Sequence, residues 1–385
     1  MTEPIGVAIV GCGYIADAYR HCLPLHGESL RLRGAFDRDS ARLEAFCRHW
    51  GERAYGSLEA LLADPEVAIV VNATDPHNHA PVTLAALDAG KHVYSEKPLA
   101  MTRDEAKALR AQAAAKNLRL AAAPCNLLGE SAQTLWKAVR DGAIGAPRLV
   151  YAELDDGMIH RADYRNWLSR SGKPWPAHGE FEIGCTFEHA GYVLTLLCAM
   201  FGPARRVTAF SALLVADKQT DEPLPHPAPD FSVGLIEFDG GVVARVTNSV
   251  VAPYDHRLRV IGEEGTLEIR EPWDYACPVT RRGVSQGRLA RYLERRLGGL
   301  GAAKPLPMVR PPAMKPKRGE PTMDFARGIA ELAEAIRASR PTRLDADFAV
   351  HIAEVTEMLQ YPERFPRPAL VESAFAPIAP MDWAR

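Results

Sequence analysis

An apolar run of six residues, Ile5-Gly6-Val7-Ala8-Ile9-Val10, leads directly into Gly11-Cys12-Gly13-Tyr14-Ile15-Ala16 and then into a helix-like segment reaching His21. Strand, glycine turn and helix in immediate succession admit few folds. Gly11 permits the tight turn, Gly13 lets backbone approach a pyrophosphate, and the small Ala16 allows the helix to pack closely on the strand. A second apolar segment, Arg31 to Phe36, ends in Asp37, about 20 residues downstream of the turn, where a ribose-binding acid belongs. A carboxylate there accepts both ribose hydroxyls and repels a 2'-phosphate, which favours NAD. The neighbouring Arg38 could stack on adenine or hold that phosphate, so NADP stays open.

The same alternation continues. Helices are expected over Ser40–Trp50 and Leu58–Leu62, followed by Ala68-Ile69-Val70-Val71, an uninterrupted apolar strand of the kind buried on both faces of a parallel sheet. Polar residues follow it, Asn72-Ala73-Thr74-Asp75-Pro76-His77-Asn78-His79, and a helix is expected from Pro81 to Gly90. The two histidines lack the Cys or carboxylate neighbours of a metal shell, so no metal is expected, and they are placed along the cofactor crevice. The strand His92–Ser95 then delivers Glu96-Lys97-Pro98, the proline ending the strand with Lys97 at its carboxyl end. Ligands of open parallel sheets bind outside those ends. The plain alternative is a solvated Glu-Lys pair. A helix capped by Thr102 and a strand over Leu118–Ala123 complete a dinucleotide-binding domain assigned to residues 1–125.

A chain of 385 residues exceeds one ordinary core, and 47% hydrophobic with 24% charged residues is enough for two. Forty-six basic against 48 acidic residues, a net charge of -2, leave no electrostatic footprint for nucleic acid or an anionic membrane. The seven cysteines are scattered without a Cys-x-x-Cys pair, which points to reduced thiols and, with no leader-like or membrane-length apolar run, to a cytoplasmic protein. From residue 126 to 385 the pattern becomes that of an α+β domain with an open, mostly antiparallel sheet. Its best hairpin signal joins Ser232–Phe238 to Val242–Val250 through Asp239-Gly240-Gly241. Residues 281–296 read as a basic surface or interface helix, and helices within 323–360 close the fold and pack back on the first domain.

The segments Gly11–Ala16, Thr74–His79, Glu96-Lys97-Pro98, Asp141–Gly145 and Gly262–Leu267 occur in the order found in the Gfo/Idh/MocA family, which the chain resembles up to about Arg270. The resemblance implies a Rossmann domain followed by the α+β domain, and a nicotinamide-dependent oxidoreductase acting on a sugar, glycoside or cyclitol. It also implies a homodimer or homotetramer formed through the second sheet. Redox-assisted glycosidases and non-catalytic nucleotide-binding regulators share the fold and are the alternatives. The implied cofactor cradle comprises Gly11, Gly13, Tyr14, Ile15, Asp37, Arg38, Thr74, Pro76, His77, His79, Glu96, Lys97, Asn126 and Trp167.

In many relatives an Asp and a His spaced i, i+4 face the nicotinamide; here those positions hold Glu188 and Tyr192, with His189 about 100° round the helix. Lys97, Tyr192, Glu188 and His189 are the catalytic candidates. Lys97 is expected to lower the Tyr192 hydroxyl's pKa. Asp155, Asp156 or Arg165 are placed to reach substrate hydroxyls. A purely structural use, with Tyr192 in the core and His189 on a nearby carbonyl, is the other reading of these residues.

Overall fold

A computed structural model describes residues 3–284, 287–288, 292, 296, 303–314 and 322–385. The opening run forms β1 (Ile5–Val10) and is followed by α1 (Ala16–Cys22), β2 (Leu30–Phe36), α2 (Ser40–Trp50), α3 (Leu58–Ala63), β3 (Ile69–Asn72), α4 (Pro76–Asp88), β4 (His92–Ser95), α5 (Arg103–Ala115) and β5 (Leu120–Ala122). The five strands make one parallel sheet in the order β2-β1-β3-β4-β5. Its strands are apolar throughout because both faces are covered: Val7, Ile9, Ile69 and Val71 enter one buried cluster, while Ala8, Val10 and Val70 enter another. Strand order reverses about β1, so the ligand crevice lies at the carboxyl ends of β1 and β3.

Two expectations change here. Helix α4 begins at Pro76 rather than Pro81, because a proline at the first helical position needs no backbone partner, and the helix runs on through Pro81. The basic stretch from Arg281 opens as a strand, since residues 280–283 pair with Gly265–Glu268 as an edge of the second sheet; most of residues 285–302 lies outside the described residues. The Thr102 cap of α5 is complete, its side chain accepting from the Glu105 N–H while Glu105 reaches back to the Thr102 N–H.

Beyond β5 come α6 (Glu130–Arg140), β6 (Pro147–Asp155), α7 (Ala177–Ile183), α8 (Cys185–His189), α9 (Gly191–Phe201), β7 (Ala204–Ala212), β8 (Phe231–Phe238), β9 (Val243–Ser249), β10 (Leu258–Gly262), β11 (Gly265–Ile269), β12 (Thr280–Gly283) and β13 (Lys304–Pro305). The chain closes with α10 (Arg327–Arg337), α11 (Ala346–Gln360) and β14 (Ala369–Leu370). Among the described residues the second sheet has nine strands, in the order β13-β12-β11-β10-β6-β9-β8-β7-β14, antiparallel except for β6 beside β9. The β8–β9 hairpin turns through Asp239–Gly241, where Gly240 has φ +80°. Side chains alternate between a helix-covered face and an open face carrying Phe210 and Leu235. A Cβ on Gly234 would lie 2.2 Å from Leu359, so glycine is what lets α11 rest on β8.

Helix α11 touches both halves of the molecule, meeting α5 and β5 on one side and β7 and α8 on the other. Its buried Glu354 accepts from the backbone of Glu372 and Ser373 at 3.0 and 2.9 Å, and from Arg103. Among the described residues no helix is long and apolar enough to cross a membrane. All seven cysteines are buried free thiols.

Candidate functional site

The crevice is built first from backbone. Gly11 has φ +94°, and a Cβ there would lie 2.5 Å from the Ala73 carbonyl oxygen, so only glycine fits the turn from β1 into α1 where it passes the end of β3. A Cβ on Gly13 would meet nothing within 4 Å, leaving open space against the backbone where a pyrophosphate approaches. Tyr14 and Ile15 follow on that rim. Asp37, at the end of β2, accepts from the N–H groups of Cys12 and Asp39, each at 2.8 Å, and pairs with Arg42 at 3.3 Å. Arg38 is solvent-exposed, 3.9 Å from Asp75. These residues fit a dinucleotide.

Several expected cradle residues do other work. His79 is fully buried, its ring nitrogens 2.6 Å from the Pro98 carbonyl and 3.0 Å from that of Thr74. It ties the end of β3 to the turn after β4 and does not line the crevice; His77 stays exposed. Thr74 donates through its hydroxyl to Asn72, beside Pro76 at the start of α4. Glu96 is turned inward, accepting from the Tyr19 hydroxyl and, at 2.9 Å, from the Lys97 N–H, so it orients the lysine. Asn126 is fully buried and donates to the carbonyls of Tyr192 and Pro272 at 2.8 and 3.3 Å. Its side-chain amide N–H groups anchor the start of α9.

Lys97 is delivered to the crevice as expected from its strand. Its ammonium pairs with Glu188 on α8, the side chains being 17% and 6% exposed. Burial alone would lower the lysine's pKa, but the Glu188 carboxylate paired with it, with Glu96 nearby, outweighs this and pushes it up. Lys97 is therefore a permanent cation and a hydrogen-bond donor. Burial and the neighbouring Glu188 push the Glu180 carboxyl well above its ordinary range.

The expectation for Tyr192 is reversed. Burial, the largest influence on its hydroxyl, pushes the pKa up, and Lys97 only partly opposes this, so the phenol stays protonated. Its ring packs on Trp273 with centroids 4.6 Å apart.

Arg165 is not brought to this cluster. It is exposed and bound to Asp221 at 2.8 Å and to the Gln219 carbonyl. Asp155 is held by backbone bonds to Asp255, and burial raises its carboxyl to about 6. The next residue, Asp156, is the carboxylate that joins the site, with Oδ2 3.5 Å from His189 Nε2 and Oδ1 3.3 Å from His256 Nε2. Neither His256 nor its partner Glu271 was singled out from the sequence. The signal was strand parity: buried Val150, Ala152 and Leu154 on β6 extend to Asp156, and buried Leu258 and Val260 on β10 extend back to His256.

Trp167 packs edge-on against Trp175. The loop between them is latched to the nucleotide-binding half, where Ser171 donates to Asp17 of α1 from its N–H at 2.7 Å and its hydroxyl at 2.8 Å. Among the described residues no group of three His, Cys, Asp or Glu side chains is placed to hold a metal.

Comparison with known proteins agrees with this architecture. Residues 5–123 match the family described as an oxidoreductase family with an NAD-binding Rossmann fold, and residues 132–268 match its GFO/IDH/MocA C-terminal domain. A trans-1,2-dihydrobenzene-1,2-diol dehydrogenase from Mus musculus is 26% identical over 267 residues, covering 69% of this chain and 74% of the mouse protein. An NAD-binding oxidoreductase from Klebsiella pneumoniae superposes with a TM-score of 0.76 at 18% identity, covering 97% of this chain and 100% of that one. An inositol dehydrogenase homologue from Azotobacter vinelandii, solved with NADH and myo-inositol, gives 0.73 at 21% identity over 97% of this chain and 98% of its own.

Proposed function

Because the chain belongs to the Gfo/Idh/MocA family of NAD(P)-dependent oxidoreductases, we propose that it transfers a hydride between nicotinamide and a ring carbon of a sugar, glycoside or cyclitol, interconverting hydroxyl and keto forms. The observation that carries this reading is the Lys97 ammonium held by Glu188 at the carboxyl end of β4, at the same edge of the parallel sheet as the dinucleotide turn after β1.

Bound nicotinamide supplies the hydride acceptor or donor. The chain's own work is to place the carbinol carbon, stabilise negative charge on its oxygen and move one proton. Lys97 donates to the reacting oxygen and favours its alkoxide character in a poorly hydrated site. Glu188 fixes the ammonium and accepts from a neighbouring hydroxyl. Tyr192 stays a phenol and serves as a donor. Around the single lysine stand Glu180, Glu188 and Asp156, acceptors suited to a neutral polyhydroxylated ring rather than to a phosphorylated one. The mouse relative's name and the myo-inositol bound in the Azotobacter neighbour are in keeping with such a substrate. We assign association into dimers or tetramers to the open face of the second sheet.

The test is to incubate the protein with NAD and a panel of free sugars, glycosides, nucleotide sugars and cyclitols while following NADH absorbance. Oxidation of a ring alcohol supports the proposal. Release of an aglycone without net NADH would establish the redox-assisted glycosidase instead. Bound sugar with neither product would leave a regulator.

Cofactor choice provides a second check. Asp37→Ala removes the acceptor for ribose hydroxyls and the charge opposing a 2'-phosphate. The ratio of kcat/KM for NAD over NADP is expected to fall about 10-fold or more, an effect of about 1.4 kcal/mol or above. An unchanged ratio would remove Asp37 from cofactor discrimination.

A further inference from the structure

Resting on the dehydrogenase reading above, we propose that His189 is the proton acceptor of this site and that His256, acting through Asp156, is the positioning residue that fixes its tautomer. Three elements far apart in sequence meet here: the helix carrying His189, the residue following β6, and the residue two before β10.

His256 is buried and faces two carboxylates. Its Nδ1 lies 3.2 Å from Glu271 Oε1 and 2.8 Å from the Tyr254 hydroxyl, and its Nε2 lies 3.3 Å from Asp156 Oδ1. A neutral imidazole has one N–H and would turn a lone pair towards one of those carboxylates; the doubly protonated ring turns an N–H towards each, and with Asp156 the contact is an ion pair whose geometry is not that of a hydrogen bond. Burial by itself would discharge the ring, but Asp156 and Glu271 reverse this and raise its pKa to about 9. The Trp273 ring covers it, with centroids 4.7 Å apart.

Against that fixed cation Asp156 stays ionised, with Oδ2 3.5 Å from His189 Nε2. The proton of neutral His189 therefore sits on Nε2, and Nδ1 carries the lone pair. That Nδ1 is buried and has no hydrogen-bond partner in the protein, as an acceptor reserved for a ligand proton would be. The charged and titratable groups facing His189 are Asp156, Lys97, Glu188 and His256. Burial first, then Lys97 and His256, lowers its pKa, and Asp156 and Glu188 oppose this, leaving it uncharged and able to accept at neutral pH.

In the oxidation the substrate O–H bond breaks and its proton goes to His189 Nδ1. The C–H electron pair leaves as hydride to the NAD nicotinamide, the C=O bond forms from the oxygen's electrons, and the imidazolium later releases its proton to water. Reduction of the ketone runs through the same atoms in reverse. A partly buried carboxylate that holds a catalytic imidazole in one tautomer has the same logic as the acid of a hydrolase triad; here a second imidazole holds the carboxylate.

Two measurements test this. Imidazole ¹⁵N shifts of the wild-type protein without substrate should show His189 protonated on Nε2 and bare on Nδ1, and His256 protonated on both nitrogens at pH 7. His189 protonated on Nδ1 overturns the proposal whatever the substrate proves to be. With a substrate from the panel, His189→Gln should lower kcat about 10²–10⁴-fold. Asp156→Asn should shift the acid limb of the pH–rate profile to lower pH by removing an anion beside His189, and His256→Gln should shift it to higher pH by removing a cation. A merely structural role moves neither limb, and full activity in His189→Gln or unshifted limbs in both folded variants overturn the assignment. Failure of the dehydrogenase reading shows separately, as wild-type protein that oxidises nothing in the panel.

Discussion

Lys97→Ala will bind NAD normally and lose turnover by about 10³-fold or more, since it removes the cation that faces the developing charge on the substrate oxygen. The size follows from where the ammonium sits. It is 17% exposed, paired with Glu188, and its pKa is pushed up despite burial, so it stays charged throughout catalysis and need not be reorganised when the oxygen gains charge. The substitution also leaves the Glu188 carboxylate buried and without its partner. Breaking a buried pair from one side destabilises by roughly 3–5 kcal/mol. Loss of activity must therefore be separated from loss of fold. The double variant Lys97→Met with Glu188→Gln removes both charges at similar volume; it is expected to melt near the wild-type temperature, to bind NAD by titration calorimetry, and to be as inactive as Lys97→Ala. Turnover retained in either variant would take Lys97 out of the mechanism.

The parts of this molecule that were legible in its sequence are those with a short-range physical cause. The glycine turn, the acid ending β2, the Thr102 cap and the hairpin through Asp239-Gly240-Gly241 are each set by residues within a few positions of one another. Lys97 belongs with them, because a strand ended by proline in a parallel sheet can put its last residue in only one place. The site around it is different in kind. Glu188, Asp156 and His256 come from three elements, and what brings them together is the pairing of β10 with β6 and the packing of α8 on β8 and β9. No local pattern encodes that meeting. Strand parity marks Asp156 and His256 as inward-facing, but not what they face. Tyr192 shows the converse limit. Its position at i+4 from Glu188 was readable, but its pKa depends on how completely α9 and Trp273 exclude water, and this burial outweighs the nearby charge. His79 and Asn126 show a related limit, since the structure gives these buried side chains backbone carbonyl partners that no local pattern announces.

Stability should pass through a maximum near pH 6.5, with two buried histidines shaping opposite limbs. His351 on α11 accepts from the Ala204 N–H at 2.9 Å through Nε2 and lies 3.0 Å from the Ser373 hydroxyl through Nδ1, an arrangement that requires the neutral ring. Burial lowers its pKa from 6.5 to about 4. Below pH 6.5 the unfolded chain takes up a proton that the native site refuses, so stability falls as pH drops towards 4, by about 3 kcal/mol in all. His256 has the opposite sign. Its folded pKa is raised from 6.5 to about 9 by Asp156 and Glu271 against the effect of burial. Its contribution is complete below pH 6.5 and is lost as pH rises through 9, again about 3 kcal/mol. Urea midpoints measured at pH 4.5, 6.5 and 8.5 separate the two. His351→Gln should flatten the acid limb and leave the alkaline one, while His256→Gln should do the reverse. An alkaline limb that persists unchanged in folded His256→Gln would mean that His256 is neutral in the native protein, and the chain from Glu271 through Asp156 to His189 would then lack the charge that holds it.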